Sequence, residues 1–118
     1  MSISGKNDIG YKKSAQNSNT FTTFNPQLNT PTPWTFHEAS DAEIDEACSL
    51  AAEAFLEYKL MSGAKKADFL RSIANELENL GDELIAVYAQ ESGLPEGRAI
   101  GERGRTMGQL RAFASLLE

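Results

Sequence analysis

The feature that most constrains the fold is an abrupt change in hydrophobic spacing at Ser40. Before this residue, apolar side chains come in short runs among Asn, Ser and Thr; after it, they recur every three or four positions, as on one face of an α-helix. Ser40 and Glu43 also form the Ser-x-x-Glu pattern of a capping box, in which each side chain bonds a backbone N–H that the helix leaves unpaired. The sequence therefore predicts a helix that begins at Asp41, and a boundary between residues 1–39 and 40–118.

Residues 1–39 have the composition of short β-strands joined by turns. Thr20 to Phe24 is a β-branched and aromatic run, and Asn25-Pro26 is a typical turn start. Pro31 and Pro33 restrict the following segment to an edge strand or a loop, because proline lacks the N–H that an inner strand must donate. We expect residues 1–39 to form a hairpin-like arm with weak internal packing.

The first predicted helix extends to about Tyr58 and has one apolar and one acidic face. Its apolar residues follow the i, i+3, i+4 rule of an amphipathic helix. They are Ile44, Ala47, Cys48, Ala51, Phe55 and Tyr58. We therefore expect Cys48 to be a small core residue and the acidic face to be solvated.

Turn residues divide the remaining sequence into three further helices. The second helix should begin at about Ala64 and stop at Gly81, and Asp82 should cap the third. Gly93 supplies the next stop, and Pro95 suits the first position of the fourth helix, where its missing N–H costs nothing. The predicted fold class is α+β, with a short β-hairpin arm followed by about four α-helices.

The fourth predicted helix, from Pro95 to Glu118, is unusual because it contains four glycines. Each costs about 1 kcal/mol relative to alanine in a helix interior. They share one face: Gly97, Gly101, Gly104 and Gly108. A face without side chains lets another backbone, side chain or ligand lie directly on the helix, and helix packing is the favoured interpretation. Larger residues form a second face: Ile100, Met107, Leu110, Ala114 and Leu117.

Charge and residue counts exclude several classes of function. Residues 1–40 carry three basic and two acidic residues, residues 41–118 carry eight and fifteen, and the net charge is −6. Such an acidic chain should repel nucleic acid. One cysteine and one histidine cannot form an intramolecular disulfide or a Cys/His zinc site. No run of about 18 apolar residues predicts a membrane span, and without an apolar leader the cytoplasm is the expected compartment.

The reactive side chains do not form a complete catalytic set. Cys48 follows Asp45 and Glu46, and an acidic setting disfavours the thiolate that a cysteine nucleophile needs. His37 lies beside Glu38 and could in principle form an acid–base pair, but the favoured interpretation is a solvated loop imidazole.

The arginines of the fourth helix leave two interpretations. These are Arg98, Arg103, Arg105 and Arg111. They could recognise a carboxylate or a phosphate, because a guanidinium donates paired hydrogen bonds to such groups. The favoured alternative is ion pairing with the acids of the first helix. The glycine spacing matches neither the dinucleotide-binding fingerprint nor the Walker A loop, so no phosphate cradle is predicted.

Several short motifs occur along the chain in an order that points to a family. They are Phe24-Asn25-Pro26 in the arm, Glu38-Ala39-Ser40 at the helix start, Arg71-Ser72-Ile73-Ala74, and the turn Glu91-Ser92-Gly93-Leu94-Pro95. This order resembles the N-terminal segment of the aldehyde dehydrogenase superfamily. The run from Gly93 to Thr106 is most similar to its NADP-dependent branch that oxidises fatty aldehydes or 2-oxoglutarate semialdehyde (2,5-dioxovalerate).

The resemblance implies a longer enzyme, of which this chain would be the N-terminal portion, incomplete at its C-terminus. In the family, a thiolate attacks the aldehyde, hydride passes to a nicotinamide, and a glutamate-activated water hydrolyses the thioester. The family's Gly-Gln-x-Cys pattern is absent around Cys48, so no catalytic, cofactor-binding or metal-binding residue is assigned here. The parent enzyme would use NADP or NAD, and the isolated chain would bind neither and be inactive.

The resemblance also implies partners and one functional surface. The remainder of the aldehyde dehydrogenase chain would be the partner, the parent enzyme would be a homo-oligomer, and residues 40–118 would belong to its Rossmann-type cofactor-binding domain. The helix from Pro95 to Glu118 would lie near the aldehyde entrance. The residues expected to border this channel are Met107, Leu110, Arg111, Ala114 and Leu117.

Two other interpretations stay open at this point. A free-standing helical interaction module would use the glycine face and the arginines for docking, and it would need no further domain. A degraded or deliberately truncated enzyme would have the same sequence features as the N-terminal portion of an intact one. The sequence alone does not choose among aldehydes, between NAD and NADP, or among oligomeric states.

Overall fold

The computed structural model describes residues 2–118, which form four short strands and four helices. The strands are β1 (Asn7–Ile9), β2 (Lys12–Ser14), β3 (Thr20–Asn25) and β4 (Thr30–His37). The helices are α1 (Asp41–Tyr58), α2 (Gly63–Asn79), α3 (Gly81–Ser92) and α4 (Glu96–Leu117). The predicted class, a β-hairpin arm followed by four helices, is confirmed.

The described residues divide into two compact units. The N-terminal unit contains residues 2–24 and 29–60, and the helical unit contains residues 25–28 and 61–118. By its contacts α1 therefore belongs with the strands, and the division falls after Leu60 instead of after residue 39. The assignment of residues 40–118 to one domain of a longer enzyme stays a prediction.

The strands form two separate two-stranded sheets, β1 with β2 and β3 with β4. The β1–β2 pair is antiparallel, with Asn7 opposite Ser14. Its turn consists of Gly10 and Tyr11, with φ angles of +57° and +68°. Positive φ at both residues gives a two-residue turn that suits the right-handed twist of the strands it joins. Both prolines of β4 lie in a two-stranded sheet, where every strand is an edge, as the sequence predicts.

Asn25-Pro26 starts the second turn as predicted, and the Asn25 side chain holds it. The Asn25 Oδ1 atom accepts hydrogen bonds from the backbone N–H groups of Gln27, at 3.0 Å, and Leu28, at 3.1 Å. Such side-chain bonds stabilise a turn in place of a backbone bond. Within the helical unit, Gln27 Nε2 then donates to the Gly93 carbonyl oxygen at 2.9 Å.

The capping box at the start of α1 is present as predicted, and it belongs to a larger polar network. The Glu43 N–H donates to Ser40 Oγ at 3.1 Å, and the Ser40 N–H donates to Glu43 Oε1 at 3.0 Å. Ser40 Oγ in turn donates to Gln16 Oε1 at 3.1 Å. Glu43 is completely buried. The network therefore ties the first turn of α1 to the segment that follows β2.

The apolar stripe of α1 is exposed, so the prediction that Cys48 is a core residue is wrong. Ile44 is 50% exposed and Phe55 57% exposed. The predicted helical period is confirmed by α1, but a period shows only which residues share a face. The side of α1 that faces its unit carries the buried Glu43, while Leu50, on the same side, is still 36% exposed although it lies against the turn at Gly10.

In the helical unit, α2 and α4 approach each other through small side chains. Ala67 and Ala74 of α2 are fully buried, as is Ala114 of α4. Near the start of α2, a Cβ atom added to Gly63 would collide with the carbonyl oxygen of Leu117. Small residues let helix axes come close, so the α2–α4 pair forms the centre of this unit.

The helix ends agree with the sequence at the glycines and differ at two caps. Gly81 and Gly93 adopt φ angles of +61° and +73°, as their stop positions require. The predicted N-cap Asp82 instead lies inside the first turn of α3, where a carboxylate favours the positive end of the helix dipole. Pro95 is the N-cap of α4 and not its first helical residue, and α2 begins at Gly63, one residue before the predicted start.

Replacing Gly63 by alanine should destabilise the helical unit. The added methyl group would press on the Leu117 backbone, which cannot move aside like a flexible side chain, at a cost of about 1–3 kcal/mol. Gly104→Ala is the matched control: its Cβ meets no atom within 4 Å, and alanine should stabilise α4 by about 0.5–1 kcal/mol. Urea unfolding of the 118-residue chain measures both, and equal effects would contradict the α2–α4 contact.

Lowering the pH should weaken the N-terminal unit through Glu43. A hydrogen bond from the Ser14 hydroxyl, followed by the one from the Ser40 N–H, lowers the pKa of the Glu43 carboxyl. Because the folded-state pKa lies below the unfolded one of about 4.3, this stabilisation is present above that pH and is lost as pH falls through the folded value.

The expected result is that Glu43→Gln lowers the thermal unfolding midpoint at pH 7 and removes part of the acid-induced loss. Glu46→Gln, an exposed change on the same helix, is the control and should leave the pH profile near that of the original chain. Identical pH profiles for Glu43→Gln and the unchanged chain would contradict the network.

Candidate functional site

The candidate channel residues on α4 lie at different depths. Met107 is 9% exposed, Ala114 is completely buried, and Leu117 is 39% exposed. Leu110 and Arg111 are half-buried. The predicted larger-residue face is thus mostly the face that α4 turns toward the core of the helical unit, although Ile100, expected on it, is 54% exposed at its edge.

Arg111 is held by α2. Its Nη2 atom lies 3.2 Å from Asn75 Oδ1 and 3.1 Å from Glu78 Oε2. These contacts, made one turn before the buried Ala114, join α4 to α2 at the surface of the helical unit. Nearby, Arg71 of α2 forms an ion pair with Glu118. This pairing raises the pKa of Arg71 above its usual value, since hydrogen bonding and charge attraction from the Glu118 carboxylate favour the charged guanidinium.

Two other arginines of α4, Arg98 and Arg103, also bond within the helical unit. Arg98 Nε donates to Glu102 Oε1 at 3.1 Å, and Arg103 Nη1 donates to the Gly81 carbonyl oxygen at 2.9 Å. The favoured sequence interpretation, pairing with the acids of the first helix, is wrong for Arg98, Arg103 and Arg111. Helical spacing explains the Arg98–Glu102 pair, since residues four apart are neighbours on a helix surface.

The glycine face of α4 is bare. A Cβ atom added at any of its four glycines would meet no atom within 4 Å among the described residues. These are Gly97, Gly101, Gly104 and Gly108. All four glycines are exposed, and the buried residues of α4, Ala99, Met107 and Ala114, lie on a different face. Its role as a packing surface stays a prediction, and no other element of the helical unit occupies it.

A small cavity of about 120 Å³ lies among α2, α3 and α4. Its walls are mainly apolar and include Leu77, Leu84 and Ile85, and Glu102 and Arg103 are among its polar lining residues. The cavity could not be predicted from the sequence, because its lining comes from three helices and residue spacing does not show how helices pack. Arg103 is already bonded to Gly81, so the cavity has few free polar groups with which to orient a ligand.

The two reactive side chains named from the sequence do not form a catalytic centre. Cys48 is exposed in the middle of α1. His37 is the last residue of β4 and is half-buried, with its Nδ1 atom enclosed, so the expectation of a solvated loop imidazole is wrong. Among residues 2–118, no group of three His, Cys, Asp or Glu side chains is placed to hold a metal ion. The described helices include none long and apolar enough to cross a membrane.

Comparison with known protein families finds a match over most of the chain. A family model described as the aldehyde dehydrogenase family matches residues 11–118. The chain is 44% identical over 113 residues to the alpha-ketoglutaric semialdehyde dehydrogenase of Acinetobacter baylyi, and 41% identical over 118 residues to alpha-ketoglutaric semialdehyde dehydrogenase 2 of Azospirillum brasilense. These matches cover 96% and 99% of this chain but 22% of each relative, so the chain spans about a fifth of their length.

Solved structures agree on the fold. The NAD-dependent benzaldehyde dehydrogenase of Corynebacterium glutamicum matches with a TM-score of 0.87 at 22% identity, over 98% of this chain and 25% of that one. The betaine aldehyde dehydrogenase of Staphylococcus aureus matches with a TM-score of 0.87 at 18% identity, over 98% of this chain and 24% of that one. At these identities the structural likeness shows a shared fold and nothing finer.

Proposed function

Because the chain belongs to the aldehyde dehydrogenase family, we propose that it serves as the N-terminal portion of an enzyme that oxidises an aldehyde to a carboxylic acid. The proposed substrate is alpha-ketoglutaric semialdehyde (2-oxoglutarate semialdehyde), and the electron acceptor is NADP or NAD. The observation that carries the proposal is the identity of 44% and 41% to two dehydrogenases named for that substrate.

In this proposal, residues 2–118 supply structure and not reacting groups. Cys48 lies among carboxylates on α1 and lacks the family's Gly-Gln-x-Cys surroundings, which argues against its acting as the thiolate nucleophile. The thiol, the base and the cofactor site therefore come from residues outside this chain. Residues 40–118 would form part of the cofactor-binding domain, with residues 1–39 as an arm.

The proposal extends to the setting of the enzyme. We place it in the cytoplasm as a homo-oligomer, with the remainder of the dehydrogenase chain as the partner of residues 2–118. A free-standing interaction module is the competing function, and the exposed apolar stripe of α1 is the observation that favours it. Activity of an assembled enzyme separates the two.

The experiment is a chimera in which this chain replaces the matching 22% of the Acinetobacter baylyi enzyme. We expect the chimera to oxidise alpha-ketoglutaric semialdehyde with NADP or NAD, and the 118-residue chain alone to show no turnover. The unmodified Acinetobacter enzyme is the positive control. A correctly assembled chimera without activity would contradict the proposal, as would turnover by the isolated chain.

The channel residues are proposed as the contribution of α4 to aldehyde binding. Met107 and Ala114 are buried and Arg111 is bonded to α2, which leaves Leu110 and Leu117 with the most freedom to contact a substrate. In the chimera, Leu110→Ala should raise the KM for the aldehyde several-fold and leave the KM for the nucleotide unchanged, because only the aldehyde would lose a contact.

The matched control for Leu110 is Leu84→Ala, the same truncation at a half-buried leucine of α3. We expect Leu84→Ala to lower stability without changing the aldehyde KM. If Leu110→Ala likewise changes stability alone, Leu110 is a packing residue and does not border the channel.

A further inference from the structure

One side of α1 is apolar and exposed, although the helix is well formed and firmly capped. Ile44, Cys48, Ala51 and Phe55 define this side, called the α1 stripe below. The stripe runs for about three helical turns, and Phe55 alone leaves 57% of its surface exposed. A continuous apolar strip of this length is typical of a surface that another protein surface covers.

The charges around the α1 stripe indicate which kind of protein surface could pack on it. From Asp41 to Tyr58 the helix has six acidic and no basic residues. Asp41 and Asp45 lie three positions before Ile44 and Cys48, which places them along one edge of the stripe. A surface that covers the stripe must therefore place positive charge at that edge. Without it, two carboxylates would lose contact with water and gain no partner.

A second copy of α1 fits this requirement poorly. Pairing two α1 helices would bring a second set of six acidic residues alongside the first, and like charges across an interface oppose association. An apolar strip edged with Lys or Arg satisfies both the stripe and its acidic edge. The two dehydrogenases that this chain matches extend well beyond the region in common, which is 22% of their length.

We infer that the α1 stripe is a docking surface for the remainder of the dehydrogenase chain, through an apolar strip that carries Lys or Arg opposite Asp41 and Asp45. This inference rests on the proposed function. It adds a specific interface, in which Cys48 is exposed in the isolated chain and becomes buried when the enzyme assembles. Cys48 is a reporter of the contact and takes no part in the chemistry.

The test compares the alkylation rate of Cys48 by a maleimide, followed by mass spectrometry of its peptide, in the 118-residue chain and in the chimera. We expect fast alkylation in the isolated chain and a rate lower by about tenfold or more in the assembled chimera, because a buried thiol reacts only when the contact opens. Equal rates in the two proteins would overturn the inference. Rates in the isolated chain that fall with its concentration would show that a second copy covers the stripe instead.

Matched variants separate the stripe from general effects on α1. Phe55→Asp places a charge in the stripe, and Leu56→Asp places one about 100° farther round the helix, outside the stripe and in line with its acidic edge, at a residue 60% exposed. Both should leave the isolated chain folded, since both side chains are exposed. Only Phe55→Asp should restore fast alkylation of Cys48 in the chimera and reduce the yield of assembled enzyme.

A charge reversal tests the acidic edge. Asp45→Lys should weaken assembly of the chimera, while Glu53→Lys, an equal change far from the stripe, should not. An active chimera in which Cys48 stays reactive and both reversals are silent would refute the docking surface and leave the proposed function intact. An assembled chimera with Cys48 protected but no turnover would do the opposite.

Discussion

The contact between the backbones of α2 and α4 is the constraint on which the helical unit depends. Gly63 has no side chain where the Leu117 carbonyl oxygen lies, and buried alanines continue the close approach along both helices. With the axes this close, only one rotation of α4 buries Ala99, Met107 and Ala114 together. That rotation turns the glycine face outward. The bare face is therefore a consequence of how α4 packs and not an isolated peculiarity of its sequence.

The N-terminal unit depends on hydrogen bonds to a buried carboxylate instead of on close helix packing. Its one completely buried charged side chain, among residues 2–118, is Glu43, while Phe55 of the same helix stays exposed. A buried carboxylate is tolerated only when hydrogen bonds replace water. The Ser40 N–H donates one to Glu43 Oε1, and hydrogen bonding from Ser14 also favours the charged form, while Oε2 has no partner among the described residues. Polar bonds thus place α1 against the arm, and its apolar surface contributes little to stability within residues 2–118. The exposed apolar side of α1 can therefore add stability when another surface packs against it.

Local features of the fold could be predicted from the sequence, whereas the choice of buried face could not. The capping box at Ser40, the turn at Asn25 and the glycine stop at Gly93 each depend on residues within four positions, and all three are present. Cys48 and Ile100 were misplaced because helical spacing groups residues by face without saying what covers the face. The arginines of α4 could not be paired correctly for a related reason, since Arg103 bonds a backbone carbonyl that no charge pattern reveals. The family was recognisable because its motifs follow in order along the chain.

The burial of α4 also limits what this chain can contribute to substrate choice. A residue that lines a channel must keep part of its surface exposed in the assembled enzyme. Ala114 has no exposed surface even in residues 2–118 alone. Met107 is almost as fully buried as Ala114, and the guanidinium of Arg111 donates hydrogen bonds to both Asn75 and Glu78. Mutations at these three positions would act on the α2–α4 packing first, and any effect on aldehyde binding would follow from a shift of the helix. Discrimination between a charged semialdehyde and a long apolar aldehyde needs a placed cation or a long apolar pocket. Leu110 and Leu117 can supply apolar contact but no charge, and Arg111, the one cation among the proposed channel residues, already bonds α2, so these five residues are poorly suited to recognise a carboxylate substrate.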